Sequence, residues 1–435
     1  MIKKELGIRE LIAIAIGGMV GGGIFTVLGI AVKMIGFLAP FAILLGGLLA
    51  LIAAYSYIKL GVYYKDEGAT YSFFRKTFKN SHLASAFIGW YTIFGYISTL
   101  ALYAYTFSSY AIGGYTVACI EVLRKFTAIF IIWVFAFINL KGVKSMSEIE
   151  DIMVYTKLTI LIAVSIGLIL ASDYSTVDLF YKSYRDFHKT NIFNIFVVSS
   201  ITFVAYEGFQ LVINAVNDMK NADTDIPKSI YISVAIVAFL YFFIALGTVE
   251  TVNINLLSKY QEYALAYTAQ HVLGNSFKIA VIAGAILATS SAINSTLYGS
   301  SHQMARIADD GYMPKFLTKR KGTMPTNAII SMSSVASLLI AIGGLKLILE
   351  FGSITFLFVS FLMAIANFKI RKQTGTPAFI STLSIMLLFF GVSSVFYYEY
   401  KTNLQQLQFI ALVYIILTLT SFGYSKIKQF KVGNP

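Results

Sequence analysis

The chain has 435 residues, of which 57% are hydrophobic and 13% charged, and its formal net charge is +13. Soluble domains carry about 25% charged residues, so the composition excludes an ordinary soluble protein and predicts an all-α polytopic membrane protein. Cytoplasmic loops of membrane proteins are rich in Lys and Arg. Topology therefore accounts for the positive charge, and we expect a lipid bilayer and no nucleic acid as the partner.

Hydropathy predicts twelve transmembrane helices, since each needs about 20 mainly apolar residues. With the N-terminus inside, 23 of the 34 Lys and Arg residues fall on the cytoplasmic side and 10 on the external side. This bias predicts that both termini are cytoplasmic, in a multi-pass protein of the cytoplasmic membrane. The predicted spans are 8–33, 37–62, 83–113, 124–141, 151–172, 192–218, 228–252, 277–306, 326–348, 352–370, 377–398 and 405–425.

The first span is rich in glycine at mid-depth. Its sequence IAIGGMVGGGIFTVLG contains Gly17, Gly18, Gly21, Gly22 and Gly23. A glycine costs about 1 kcal/mol relative to alanine in a helix interior. Small residues spaced by three or four serve close helix packing, but three consecutive glycines indicate that the helix unwinds locally.

Within the fifth span, the apolar run IMVYTKLTILIAVSIGLIL carries one charged side chain, Lys157. A lysine in hydrocarbon costs about 3 kcal/mol or more, so such residues face a protein interior or a water-filled cavity. A lysine that loads and unloads a proton there is a candidate coupling element for transport. Two alternatives stay open: the side chain extends to the cytoplasmic boundary, or it is a fixed charge that never titrates.

The sixth span, SSITFVAYEGFQLVINAVNDMK, has Glu207 and Gly208 near its middle. An acidic residue beside a glycine at this depth indicates a second break that lines a cavity, although Glu207 bound to a neighbouring helix is the alternative. Paired interruptions in two halves of a chain indicate a transporter binding site. We therefore predict a 5+5 inverted repeat with discontinuous helices one and six. Its parts are residues 1–172, residues 192–370 and, as two peripheral helices, residues 377–425.

The breaks predict the chemistry of the ligand. An unwound segment frees N–H groups at one half-helix and C=O groups at the other. The N–H end suits a carboxylate and the carbonyl end an ammonium, so the predicted ligand is a zwitterion such as an amino acid. Phe203 is a candidate lid or packs against span ten. The predicted substrate-binding residues are Met19, Gly21, Gly22, Gly23, Ile24, Ile201, Phe203, Val204 and Glu207; the amides of Gly22 and Gly23 serve the carboxylate, and carbonyls near Met19, Ile201 and Val204 serve the ammonium.

Several segments resemble one known family. They are GGMVGGGIF, NLKGVKSMSEIEDI, FVAYEGFQLVINAVNDMKNADTDIPKSI and ARIADDGYMPKF, spread over most of the chain. Together they resemble the amino acid–polyamine–organocation (APC) superfamily of transporters, which implies the LeuT-type fold. The chain departs from the family pattern at Lys59, where the family has glutamate, and at Asn217 and Asp218, which replace an acidic pair. Gly22 stands where the family has a serine, so a hydroxyl contact to the carboxylate is lost.

The resemblance also implies a cation site between spans one and eight, where sodium-coupled relatives bind sodium. Carbonyls of Gly17 and Val20 and hydroxyls of Thr289, Ser290 and Ser291 would form it here. Lys157 is the candidate to place its ammonium there, because an ammonium donates three hydrogen bonds to such oxygens. The alternative for the hydroxyls is a bond to their own helix backbone.

The predicted function is import of amino acids by proton symport and alternating access, with a broad substrate range. Amino acids and protons are the expected partners, no cofactor or metal is expected, and the oligomeric state is left open. The sequence contains no GxSxG, HExxH or Walker-type motif, so we do not expect an enzyme. Two alternatives remain. One is an exchanger independent of sodium and protons, in which Lys157 is static; the other is a carrier of cationic amines or polyamines.

Overall fold

The structure is a computed structural model that describes residues 6–113, 119–141, 146–172 and 176–433, with side chains omitted at 146–151, 176–180, 189 and 431–433. Within these ranges the secondary structure is helical, apart from two isolated β-bridges. The α-helices are α1 Ile8–Met19, α2 Gly23–Ile35, α3 Ala39–Tyr64, α4 Ala69–Thr77, α5 His82–Ile112, α6 Ile120–Lys141, α7 Met146–Leu170, α8 Thr176–Lys189, α9 Ile192–Thr202, α10 Ala222–Thr251, α11 Ile254–Lys259, α12 Ala264–Leu273, α13 Asn275–Asp309, α14 Thr326–Ile342, α15 Leu345–Lys369, α16 Ala378–Thr402 and α17 Leu404–Gly433.

Each of the twelve predicted spans coincides with a helix or a pair of helices. Among the described residues, nine helical stretches are long and apolar enough to cross a membrane, and α14 is a shorter apolar helix. The predicted boundary between spans nine and ten is wrong, because α14 ends at Ile342 and α15 begins at Leu345. Gly343 and Gly344 both have extended backbone, which ends one helix before the next begins.

The predicted breaks in spans one and six are confirmed. Span one is α1 and α2, separated by residues 20–22. Span six is α9, then a 3₁₀ turn at Phe203–Tyr206, then Glu207 and Gly208, then a 3₁₀ segment at Phe209–Asp218. Four helices outside the predicted spans are α4, α8, α11 and α12. They are short, and α4 and α8 are polar along one side, so hydropathy does not detect them.

Helix packing repeats itself between the two halves of the chain. Spans five apart are in contact: α1 with Phe209–Asp218, α2 with α9, α3 with α10, α5 with α13, and α6 with α14. Span five (α7) packs on α1, α10 and α13, which belong to spans one, seven and eight. Span ten (α15) packs on α9, α3 and α5, which belong to spans six, two and three. The neighbours of span five, which are spans one, seven and eight, thus correspond to those of span ten, which are spans six, two and three.

Candidate functional site

The break in span one leaves amide groups free of the regular helix pattern. Val20 has φ −83° and ψ 68°, so the chain leaves helical geometry directly after Met19. The amide of Gly21 donates back to the carbonyl of Met19 at 2.9 Å, and α2 restarts at Gly23. The first N–H groups of a helix have no partner within that helix. The start of α2 therefore carries the positive end of its dipole at the middle of the bundle.

The break in span six depends on a glycine. Glu207 is extended, with φ −65° and ψ 136°, and Gly208 has φ +124°, a conformation that side-chain-bearing residues rarely adopt. This pair of residues redirects the chain between the two 3₁₀ segments. Because Gly208 has no Cβ, its backbone also approaches another helix closely.

Gly18 and Gly208 form the point where the two broken spans meet. A Cβ placed on Gly208 would lie 2.6 Å from the carbonyl oxygen of Gly18 and 2.8 Å from the amide nitrogen of Met19. A Cβ on Gly18 would lie 3.0 Å from the carbonyl oxygen of Gly208. All three distances are shorter than ordinary van der Waals contact, so the two backbones can approach this closely only because both residues are glycine.

The three carbonyls predicted to receive an ammonium are hydrogen-bonded within the protein. The hydroxyl of Tyr241 donates to the Met19 carbonyl at 3.1 Å, and the hydroxyl of Ser353 donates to the Ile201 carbonyl. The Val204 carbonyl accepts from the amide of Glu207 at 3.2 Å. A ligand that uses these carbonyls would share them with the present donors or displace them.

A cavity of about 530 Å³ lies beside the two breaks. Its inner part is lined by Gly18, Tyr96, Thr99, Tyr103, Glu207, Gly208, Gln210 and Ala292, and its mouth by residues that include Glu67, Gly68, His302 and Arg306. Among the described residues that line the cavity, Glu207 is the one that the sequence predicted to bind substrate. The others, Met19, Gly21, Gly22, Gly23, Ile24, Ile201, Phe203 and Val204, are buried around the breaks.

Tyr103 stands at the boundary between the cavity and the glycines of span one. Cβ atoms placed on Gly21 and Gly22 would each lie 3.0 Å from its ring, and the same ring lines the cavity. Tyr103 is not among the substrate-binding residues predicted from the sequence. Its position on span three, in an apolar helix with several other tyrosines, gives no local signal.

Glu207 is held by Gln210, another residue that the sequence analysis missed. The side-chain amide of Gln210 donates to the Glu207 carboxylate, and its carbonyl oxygen accepts from the Gly208 amide at 3.2 Å. Gln210 thus stabilises the break from both sides while it also lines the cavity. The alternative for Glu207 was a bond to a neighbouring helix. Among the described contacts, its hydrogen-bond partner Gln210 lies instead on the same span.

Lys157 lies on span five and contacts span one. Its side chain is 0% exposed and its ammonium donates to the Gly17 carbonyl at 2.9 Å. Around it α7 packs on both α1 and α13. A Cβ on Gly17 would lie 2.9 Å from the Val154 side chain, and one on Gly284 would lie 3.2 Å from Ile160. The alternative in which the lysine extends to the membrane boundary is therefore wrong.

The three hydroxyl residues predicted for the cation site all lie on α13 but differ in burial and hydrogen bonding. Thr289 is buried, and its hydroxyl donates to the Ala285 carbonyl at 2.6 Å. Ser290 is half-buried and Ser291 is buried, and the Ser291 carbonyl accepts from Ser295 at 2.9 Å. Val20 is buried in the span-one break. The Thr289 hydroxyl thus bonds the backbone of its own helix, which was the alternative to a cation ligand.

At the end of the bundle opposite the cavity mouth, a short segment covers α2. Residues 261–263 pack on α2, where a Cβ on Gly29 would lie 2.6 Å from the Cα of Gln261. Arg124 at the start of α6 forms an ion pair with Glu262, and both side chains are at most 16% exposed. Burial raises the pKa of the Glu262 carboxyl, and the Arg124 guanidinium opposes that rise. This pair ties the segment over α2 to span four.

At the mouth of the cavity, the loop before α4 is organised by Asp66. Its carboxylate accepts from the Gly68 amide at 2.7 Å and from the Ser72 hydroxyl at 2.7 Å, and it pairs with Lys76. Burial alone would raise the pKa of Asp66, but Lys76 and these two donors outweigh it and lower the pKa to about 2.

Comparison with known proteins identifies the family to which the chain belongs. The model of the amino acid permease family matches residues 6–421. The chain is similar to the inner membrane transport protein YbaT of Escherichia coli, with 29% identity over 88% of each chain. It is also similar to the branched-chain amino acid permease BcaP of Bacillus subtilis, with 24% identity over 98% of this chain and 95% of the relative.

The fold resembles that of a solved manganese transporter from Eremococcus coleocola. The two structures superpose with a TM-score of 0.63 over 97% of this chain and 94% of the transporter, at 9% sequence identity. At that identity the likeness concerns the fold alone. The family match covers nearly the whole chain, so the protein is a membrane transporter and not an enzyme: it belongs to the amino acid permease family.

Proposed function

We propose that this protein imports amino acids across the cytoplasmic membrane by proton symport, with Lys157 as the residue that carries the proton. The observation that supports this most directly is the buried ammonium of Lys157 on the carbonyl of Gly17, at the start of the span-one break. A charge at this depth is costly, and here it bonds the backbone of the helix that is interrupted three residues later.

The coupling follows from the strength of one hydrogen bond. A charged donor forms a bond about twice as strong as a neutral one. With its proton, Lys157 braces α1 against α7 and, through the packing of α7, against α13. Without it, the bond to Gly17 weakens and α1 is free to move. Proton gain and loss would thus alternate between two packings of span one, as alternating access requires.

The substrate site is proposed at the two breaks and the inner cavity. The N-terminal amides of α2 would bind a carboxylate, and the Glu207 carboxylate, which lines the cavity, would receive or gate the ammonium. In this conformation Tyr103 covers Gly21 and Gly22, so the ring would shift when substrate reaches the amides. The branched-chain permease among the relatives supports an amino-acid substrate, and the cavity size supports a broad range.

Two five-span repeats and cytoplasmic termini complete the proposal. The matching contacts of spans five and ten, and the contacts between spans five apart, support repeats at residues 1–172 and 192–370 followed by the peripheral helices in 377–425. The excess of Lys and Arg supports termini in the cytoplasm. In that orientation the cavity mouth at Glu67 and Arg306 faces the cytoplasm, and the Arg124–Glu262 pair closes the external side.

The experiment is uptake of a labelled amino-acid panel into proteoliposomes that contain no internal substrate. Proton symport predicts accumulation above the external concentration when the outside is acidic, and its collapse when a protonophore is added. A gradient of about one pH unit sustains about tenfold accumulation for one proton per substrate. Uptake that appears only in a parallel set of liposomes preloaded with unlabelled substrate, and that ignores the gradient, would instead identify an exchanger.

A further inference from the structure

A second group of buried charges lies away from the cavity, where spans ten, eleven and twelve meet. Glu350 on α15 and Glu399 on α16 are both 0% exposed. The ammonium of Lys346 lies 3.3 Å from Glu350 Oε1 and 3.1 Å from Glu399 Oε1. The Lys346 side chain is 39% exposed, so it connects this pair to the surface of the bundle.

The charges in this group do not balance. Two carboxylates face one ammonium, and the other polar neighbours are neutral: Gln406 at the start of α17 donates to Glu350 Oε2, and the Tyr398 ring lies 5.3 Å below the Lys346 ammonium. On another side of α15, the neutral hydroxyl of Ser98 on α5 lies beside Gly352. With both acids ionised, the group would bury one uncompensated negative charge, which is expensive.

The hydrogen bonding of the two carboxylates indicates how this negative charge is neutralised. In the described part of the chain, Glu399 Oε2 accepts no hydrogen bond, and Glu350 Oε1 has only its ion-pair contact with Lys346. The two carboxyl groups lie side by side, because Glu350 Oε1 and Glu399 Oε1 both contact the ammonium of Lys346. Two buried carboxylates that share one ammonium do not both ionise, so one of them keeps a proton.

We infer that Glu350 and Glu399 form a proton-binding site that holds one proton between them. A metal cation fits poorly, because hard cations such as calcium take about six to eight oxygen ligands, and Lys346 already occupies part of the space. The site is independent of the cavity, of Lys157 and of the proposed symport, so it can stand or fall without them.

The shared proton affects the helix that supports the span-six break, because the two acids lie close to that contact. Glu350 precedes Ser353 by one turn of α15, and Ser353 donates to the Ile201 carbonyl at the end of α9, where the span-six break begins. Loss of the shared proton would place two negative charges side by side and separate α15 from α16. The proton therefore stabilises the helix on which the broken span six rests.

The test is infrared spectroscopy of the purified protein, in a Glu207→Gln background that removes the buried carboxyl of the cavity. At about pH 7, where free carboxyl groups are ionised, the spectrum should contain a C=O band of a protonated carboxyl that shifts in deuterated water. Glu350→Gln and Glu399→Gln should each abolish the same band, because either change ends the sharing. The exposed control Glu10→Gln should leave the band unchanged.

A spectrum in which the band is absent, or in which it survives both substitutions, overturns the inference. If a variant does not fold, the spectrum of the Glu207→Gln protein alone still decides whether a protonated carboxyl exists. Thermal unfolding is the second measurement: the melting temperature should fall as the pH rises through the neutral range, and fall less in Glu399→Gln. Recovery of the lost stability by added sodium or potassium at high pH would assign the site to a metal cation and contradict the proton.

Discussion

Replacing Gly208 with alanine perturbs the meeting point of the two broken spans. The new Cβ would lie 2.6 Å from the Gly18 oxygen and 2.8 Å from the Met19 nitrogen, whereas non-bonded heavy atoms prefer about 3.5–4.0 Å. Both neighbours are backbone atoms, so no side chain can turn away. The two spans would have to separate by about 1 Å at the point where they now touch.

The expected cost has two parts. Overpacking of a well-packed contact costs typically about 1–3 kcal/mol. Holding a non-glycine residue in a sparsely populated backbone conformation, here φ +124°, costs about 1–3 kcal/mol more. Together these amount to about 2–6 kcal/mol, a large share of a typical stability of about 5–15 kcal/mol. We therefore expect a marked drop in melting temperature and loss of substrate binding.

Thermal unfolding in detergent measures the effect, and Gly423→Ala is the matched control. Gly423 lies within α17, and a Cβ there would meet nothing within 4 Å. Alanine at that position should leave the melting temperature unchanged or raise it slightly, because glycine is the poorer helix former by about 1 kcal/mol. If Gly208→Ala melts and binds like the control, the close approach of Gly18 and Gly208 does not hold the breaks together.

Three further substitutions test other parts of the site. Glu207→Gln keeps an oxygen for the Gln210 amide and should change stability by less than about 1 kcal/mol, while retained pH dependence of substrate binding would exclude a protonation role for Glu207. Arg124→Glu should destabilise the external closure, and combining it with Glu262→Arg should restore much of the loss in a double-mutant cycle; equal defects in the single and double variants would show that the pair does not matter. The bonds of Asp66 lower its pKa to about 2, so their stabilisation is present above about pH 4 and is lost as the pH falls toward 2; Asp66→Asn should be less stable at neutral pH and lose less in acid, and an unchanged acid transition would contradict this.

The sequence predicts the helices of this fold well because long apolar runs have few other structures in a membrane. It also predicts the breaks, since Gly21–Gly23 and the pair Glu207–Gly208 conflict with a continuous apolar helix. Where both neighbouring runs are apolar, as at Gly343 and Gly344, the pattern alone leaves the boundary undefined. Helices such as α4 and α12 are missed because they are too short to give a hydropathy signal.

The site is predicted less completely, because its contacts join distant parts of the chain. Lys157 is identifiable from its cost in hydrocarbon, whereas its bond to the Gly17 carbonyl joins residues 140 positions apart and is given by the structure alone. Tyr241, which occupies the Met19 carbonyl, is more than two hundred residues away and lies in an apolar helix like many other tyrosines. Glu350 and Glu399 do carry a signal, as acids within apolar runs, but only the packing of α15 on α16 shows that they face each other.

The central claim is that Lys157 couples proton movement to amino-acid movement. It is tested most directly by acid-driven uptake into proteoliposomes with Lys157→Met, which keeps a side chain of similar length without the charge, beside the exposed control Lys401→Met. We expect Lys157→Met to lose accumulation against a gradient while still exchanging labelled for unlabelled substrate, and Lys401→Met to accumulate like the unmodified protein. If Lys157→Met concentrates substrate as well as the control does, Lys157 is not the proton carrier.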